Sequence, residues 1–367
     1  MKTRSCILLF AGVAACAAAC TNDPTGVAPR GRALARELDP AGSAATVGVM
    51  TQNMYVGADL DVVIAALASP DPNDDVPALL GAIQTLGRTD FPARANAIAD
   101  NIARSRPHVV GLQEVSVIHV DLTGLGLPVV IDQDFLAELQ QDLTARGLHY
   151  VVAARVHNLT AAPFPGISLD DYDAMLVDAD RVTIVSASGQ SYAANVGVVA
   201  PGIDLKSGWV MARVTIAGAP YEFASTHLAS GNVPGFAELR ALQAGELASA
   251  LPDGVPAIVM GDLNDHAGSP MYQTLTSAGF ADTWRVLRPG VTGNTCCEVA
   301  DLSNPLPALV ERIDFVLARG IGVQGQINLV GEVPADKVAG AAGPVWPSDH
   351  AAVLLNLLLP PGRTLGS

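Results

Sequence analysis

Apolar residues fall along the chain in two kinds of pattern. Some form short, nearly unbroken blocks. Val47–Met54 is alternating and β-branched, and predicts a strand. Val109–Leu112 and Ala257–Met260 are wholly or almost wholly apolar, as strands covered on both faces are. Tyr150–Val156, Ala174–Val177 and Val182–Ser186 predict further strands. Trp209–Ile216 and Tyr221–Thr226 flank Ala217-Gly218-Ala219-Pro220, a spacing that predicts a hairpin turning at the glycine. Ile313–Ala318, Val323–Val330 and Ala351–Leu358 complete the set.

Other apolar positions recur with helical spacing. Phe91–Ser105 puts Ala95, Ile98 and Ile102 on one face and is ended by Pro107. Phe135–Arg146, Pro234–Ala250 and Ser269–Ala278 predict three more helices. Gly57–Leu86 reads as a mixed loop with one short helix at Leu60–Leu67. Strands outnumber helices, and hairpins mix with strand–helix–strand crossings. That combination predicts an α/β sandwich, with mixed sheets in the middle and helices outside.

Composition explains where the apolar excess lies. The 367 residues are 50 % hydrophobic and only 16 % charged, with a formal net charge of −15. The content excludes general disorder. Part of the excess is N-terminal: Lys2 and Arg4 precede an apolar run to Ala19, the pattern of an export signal over residues 1–20. Val13-Ala14-Ala15-Cys16 resembles a lipobox, and Ala17-Ala18-Ala19-Cys20 is a second, weaker match. We therefore expect export, with cleavage before Cys16 or Cys20 and attachment to the cell envelope through an N-terminal lipid anchor; a plain secretory signal with incidental cysteines, giving a periplasmic or secreted protein, is the alternative. Residues 21–45 are expected as a flexible tether, 46–360 as the catalytic domain and 361–367 as a tail. A monomer is expected. Cys296 and Cys297 are adjacent; a vicinal disulfide, free thiols and a loop detail are the open alternatives.

Polar chemistry clusters at the ends of the apolar blocks, where α/β folds build their sites. Asn53, Glu114, His227, Asp262 and Asn264 each follow one. Asp314 lies within another, and Asp349-His350 precede the last strand. Each residue alone has a plain alternative: a turn, a helix cap, a core histidine, or for Asp314 a pair with Arg312. Together they supply hard oxygen ligands and two imidazoles, a set suited to phosphoester hydrolysis.

In order, the blocks are Gln52-Asn53-Met54-Tyr55, Gly111-Leu112-Gln113-Glu114-Val115, Ser225-Thr226-His227-Leu228, Gly261-Asp262-Leu263-Asn264, Arg312-Ile313-Asp314-Phe315 and Ser348-Asp349-His350. With these the chain resembles the endonuclease/exonuclease/phosphatase superfamily, over about residues 46–358, and within it the exported bacterial members. The resemblance implies a four-layer α/β sandwich, two mixed β-sheets face to face with helices on both outer sides. It implies Mg²⁺, Mn²⁺ or Ca²⁺ held by Glu114 and Asn53, with Asp349 as a second candidate ligand. It implies that Asp262 orients or deprotonates the attacking water, that Asn264 and His227 hold the phosphoryl group, and that Asp314 orients His350. Whether His350 or Asp262 takes the proton stays open. Tyr172 and Asp173 stand where relatives place a substrate contact, with a turn as the alternative for Asp173. Arg94 reads as a surface position. His266 reads as near the site or as a helix cap.

The expected partner is a phosphoester: a small phosphodiester, a nucleic acid or a phospholipid. Only three lysines, Lys2, Lys206 and Lys337, weigh against a broad DNA surface. No exposed aromatic hairpin or Lys/Arg-rich pocket stands out for the sphingomyelinase-like or inositol-phosphatase alternatives. A non-catalytic surface protein is the remaining alternative, and the intact Glu114, Asp262, Asn264 and His350 oppose it.

Overall fold

A computed structural model describes residues 46–71 and 73–358. The expected signal, tether and tail lie outside the described residues. Two mixed sheets carry the fold. The larger, of ten strands, runs Gly325–Val330, Ala352–Leu358, Thr46–Asn53, Val109–Gln113, Ile167–Asp178, Tyr150–Phe164, Ile203–Leu205 and Gly197–Ala200. The hairpin Val117–Asp121/Val130–Asp134 attaches to Ile167–Asp178. The smaller runs Ala281–Asp282, Asp314–Arg319, Ala257–Asp262, Ala219–His227, Gly208–Ile216 and Val182–Ser191.

Between the sheets lies an apolar core that includes Val47, Val49, Val109, Met175 and Val177 from one and Val210, Phe223, Ile258, Met260 and Val316 from the other. The helix Phe91–Ser105 covers the outer face of the larger sheet, and Phe236–Ala250 and Pro270–Ser277 that of the smaller. This is the expected four-layer sandwich. The hairpin turn also forms as expected: Ala217 and Gly218 both take positive φ, 50° and 81°.

Several elements differ from expectation. Gly57–Leu86 is not mostly loop: a second helix, Asp75–Thr89, follows Leu60–Leu67. Pro77 is tolerated in its first turn, and Ile83 and Leu86 bury against the sheet. The strands expected at Tyr150–Val156 and Ala174–Val177 are far longer, Tyr150–Phe164 and Ile167–Asp178, and pair through three register shifts. Their polar outer halves hid the strand period. The hairpin Val117–Asp121/Val130–Asp134 and the helix Thr283–Leu287 were not anticipated. The sulfur atoms of Cys296 and Cys297 lie against each other.

Candidate active site

The site is an outgrowth of the inter-sheet core. Side chains alternate across a strand, so every second residue continues the same face. From Val47 and Val49 that face runs on to Thr51 and Asn53. From Phe223 it runs to Ser225 and His227, from Ile258 and Met260 to Asp262, from Val316 back to Asp314, and from Met175 back to Asp173 and Asp171. The apolar row thus turns polar at one edge of the sandwich. Register aligns it: His227 is paired with Asp262, and Asp262 with Asp314. A buried polar layer separates core from site, with Thr51 Oγ1 donating to Gln113 Oε1 at 3.1 Å and Gln113 Nε2 to Ser225 Oγ at 3.0 Å. The sheets approach closely there, because a Cβ on Gly111 would meet Ser225 Oγ at 2.5 Å.

Asp314 accepts from His350 Nδ1 at 2.8 Å, leaving Nε2 facing the cleft. That nitrogen lies 3.8 Å from Asp262 Oδ2 and 4.0 Å from Asp349 Oδ1. His227 Nε2 approaches the same Asp262 oxygen at 3.5 Å. Asn53 Nδ2 donates to Glu114 Oε1 at 2.8 Å and to Asp262 Oδ2 at 3.1 Å, so it joins the two sheets. Val56 N–H holds the other Glu114 oxygen at 2.8 Å. Asp314 does not pair with Arg312, which binds Asp282 instead at 2.7 Å.

Tight turns aim the groups. Tyr55, Glu114 and Asn264 take left-handed φ of 58°, 54° and 51°, conformations that cost of order 1–3 kcal/mol each unless neighbours fix them. Here hydrogen bonds do: Tyr55 N to Asn53 Oδ1 and Asn264 N to Asp262 Oδ1, both 2.9 Å. Asn264 Nδ2 donates to Leu228 O at 2.9 Å, which leaves its second hydrogen free for the cleft. At Gly261, with φ 144°, a Cβ would strike Thr226 O at 1.9 Å.

Burial opposes charge on both imidazoles, yet the surrounding carboxylates prevail. Asp314, Asp349 and Asp262 hold His350 well above its ordinary value. Asp262 and Asp173, among others, raise His227. Burial, with Glu114 nearby, lifts Asp349 to about 7 although His350 pulls it down. Burial, with Glu114 and Asp173, lifts Asp171 to about 8. Burial likewise lifts Asp173 to about 7.

Other expectations change. Tyr172 does not line the cleft. It points to the opposite face from Asp171 and Asp173, and its ring packs on His157 with centroids 4.9 Å apart. Asp173 is no turn residue: it is fully buried in a strand, and neither carboxylate oxygen has a hydrogen-bond partner. Arg94 is buried completely, not at the surface. It donates to the carbonyls of Met54, Tyr55 and Thr89 at 2.6, 3.0 and 2.9 Å, which fixes the loop after Asn53. Burial lowers its pKa to about 10, so it stays charged. His266 is exposed, and Ser269 caps the next helix instead. Asp171, Asn158 and Lys206 line the cleft without having been anticipated. Counting back by twos from Met175 reaches Asp171 only once the strand is known to extend that far.

This fold and these strand-end residues define a class, and the comparisons name it. The model of the Endonuclease/Exonuclease/phosphatase family matches residues 50–350, and the chain belongs to that family. Its members are generally hydrolases acting on phosphoesters. Among solved structures, the chain is similar to a family protein from Bacteroides thetaiotaomicron at 14 % identity and TM-score 0.57, covering 87 % of this chain and 100 % of that one. A family protein from Beutenbergia cavernae gives 20 % identity, TM-score 0.54 and coverage of 86 % and 72 %. One from Bacteroides vulgatus gives 19 % identity, TM-score 0.52 and coverage of 86 % and 100 %. At these identities the likeness shows the fold alone. No curated protein matches the sequence.

Proposed function

We propose that the protein is a divalent-metal-dependent hydrolase of phosphoester bonds that works in the cell envelope. One observation carries this reading: two imidazoles, His227 and His350, flank a single oxygen of Asp262, with Glu114 joined to that same oxygen through Asn53. The donors fit a hard cation. Glu114, Asn53 and Asp349 would supply oxygen ligands to it, and burial with the nearby Glu114 raises Asp349 in the absence of such a charge. A divalent ion held by these residues would supply neutralisation of phosphoryl charge and stabilisation of the leaving oxygen.

The chain's own groups do the rest. Asp314 fixes the direction of His350 through its Nδ1. Neighbouring carboxylates raise both His350 and His227, which favours their donating to phosphoryl oxygens. Asp262, set between the two imidazoles, is the group we assign to accept the proton of the attacking water. Asn264 steadies a phosphoryl oxygen with its free N–H. The N-terminal signal and cysteines support export and lipidation. Palmitate labelling that is lost in the Cys16→Ala, Cys20→Ala double variant tests that part.

The test of function is release of p-nitrophenol from bis(p-nitrophenyl) phosphate. Turnover is expected with Mg²⁺, Mn²⁺ or Ca²⁺, removal by chelator, and recovery on adding metal back. No turnover with any of these metals, on the bis-ester, DNA and sphingomyelin alike, overturns it.

A further inference from the structure

A second cavity adjoins the cleft. It lies between the helices Leu60–Leu67 and Asp75–Thr89 and the outer halves of the long strands. Its volume is about 60 Å³. It is therefore narrow. Ile83, Ile118, Leu169 and Ile203 are among its walls, and among the described residues Ser168 is the only polar side chain lining it. Leu60, Ile64 and Leu159 line both this cavity and the catalytic cleft. At its far side it reaches Pro163 and Ile167, beside the partly exposed Phe164 at the hairpin tip.

The cleft itself is poor in cations. Among the described residues Lys206 is the only Lys or Arg lining it, and Asp204 already pairs with it at 2.6 Å. Asp59 and Asp61 line the same wall. Beyond the two imidazoles, which serve one phosphoryl group, a polyanion meets several carboxylates there and one compensated lysine, which is poor complementarity. A single phosphoester whose remaining part is apolar meets neither problem.

We propose that this cavity binds the alkyl chain of an amphiphilic phosphoester substrate whose phosphate occupies the catalytic cleft. Leu60, Ile64 and Leu159 stand between the two spaces, so a chain that passes these side chains reaches the cavity from the cleft. An unbranched chain is the shape that a narrow space admits for its first few carbons, and an apolar lining favours each methylene buried there. The proposal rests on the phosphoesterase reading for the cleft, and its test separates the two.

The full-length protein is assayed with p-nitrophenyl alkyl phosphates from methyl to dodecyl, below their micellar concentrations. The expected kcat/KM rises by up to about fourfold per methylene over the first several carbons, then levels off. Ala82→Phe and Ala161→Leu each fill the cavity from a different wall. Either should lower the dodecyl-to-methyl ratio at least tenfold. Calorimetric binding of dodecyl phosphate against methyl phosphate reads the cavity without turnover. If no ester turns over, yet dodecyl phosphate binds tighter than methyl phosphate and Ala82→Phe abolishes the difference, the phosphoesterase reading fails and the alkyl site stands. Turnover indifferent to chain length, as expected if other hydrocarbon fills the cavity, overturns the proposal. So does a chain-length preference that both variants retain, or no chain-length preference in either assay.

Discussion

The floor and the outer wall of the cleft are built by opposite means. On the floor, Asn53, His227, Asp262 and Asp314 end or begin strands in the middle of the two sheets. Ladder register sets their places, and hydrogen bonds tie Asn53 to Asp262 at 3.1 Å and Asp314 to His350 at 2.8 Å. On the wall, Leu60–Leu67 and Asp75–Thr89 rest on apolar contacts around a void. The floor can hold reacting groups to fractions of an ångström because directional bonds leave few alternatives. The wall fixes only shape and polarity. The difference assigns chemistry to the strands and selection to the helices.

The sharpest break of that contrast is at His350. His350→Ala removes the charged donor that Asp314 orients. It should lower kcat on bis(p-nitrophenyl) phosphate by about a thousandfold. Circular dichroism and the melting temperature report whether the fold survives, since few contacts outside the site depend on the ring. A loss below tenfold in a folded variant means that the floor does not carry the chemistry.

The same contrast decides what could be read from the sequence. The floor was legible because apolar blocks of fixed period end at the reacting groups: Val109–Leu112 points to Glu114, and Ala257–Met260 to Asp262. The parallel pairing of Thr46–Asn53 with Val109–Gln113 was not legible, yet it is what brings Asn53 beside Glu114. The wall was illegible. Pro77, Gly81 and Gly87 disguise Asp75–Thr89, whose helix forms because Ile83 and Leu86 find a sheet to cover. The long strands were cut short for a related reason. Residues such as Asp170, Asp171 and Asp173 look like loop until their neighbours in space are known. Arg94 misled in the same way: a charged residue on an amphipathic helix reads as surface, and only the carbonyls it meets explain its burial.

A smaller effect probes the buried acids of the floor. Asp171 has its folded pKa raised to about 8 by burial and neighbouring carboxylates, against 3.8 ordinarily. Below pH 3.8 both folded and unfolded chains hold its proton. Between 3.8 and 8 only the folded chain does, so the chelator-treated protein loses stability as pH rises through that window. Asp171→Asn keeps an oxygen for Ser116 Oγ, which donates to it at 2.7 Å, and removes the charge. It should raise the melting temperature by a few degrees at pH 8 and leave it unchanged at pH 4. An equal shift at both pH values would mean that the site charge at Asp171 is not what burial opposes.

The smallest effect compares the two packings directly. Ile258 is fully buried between the sheets, whereas Ile83 borders the void under the helices. Removing one methylene generally costs about 0.5–1.5 kcal/mol, more where surrounding atoms touch it on every side. A group beside a void has already forfeited part of its dispersion contact. Ile258→Val should therefore fall near the top of that range and Ile83→Val near the bottom, as urea midpoints measured with an unchanged m-value would show. Equal costs would mean that the void closes in solution and the wall packs as tightly as the floor. The wall could then not admit a ligand without prior opening, and binding of a long-chain phosphoester would become slow instead of diffusion-controlled.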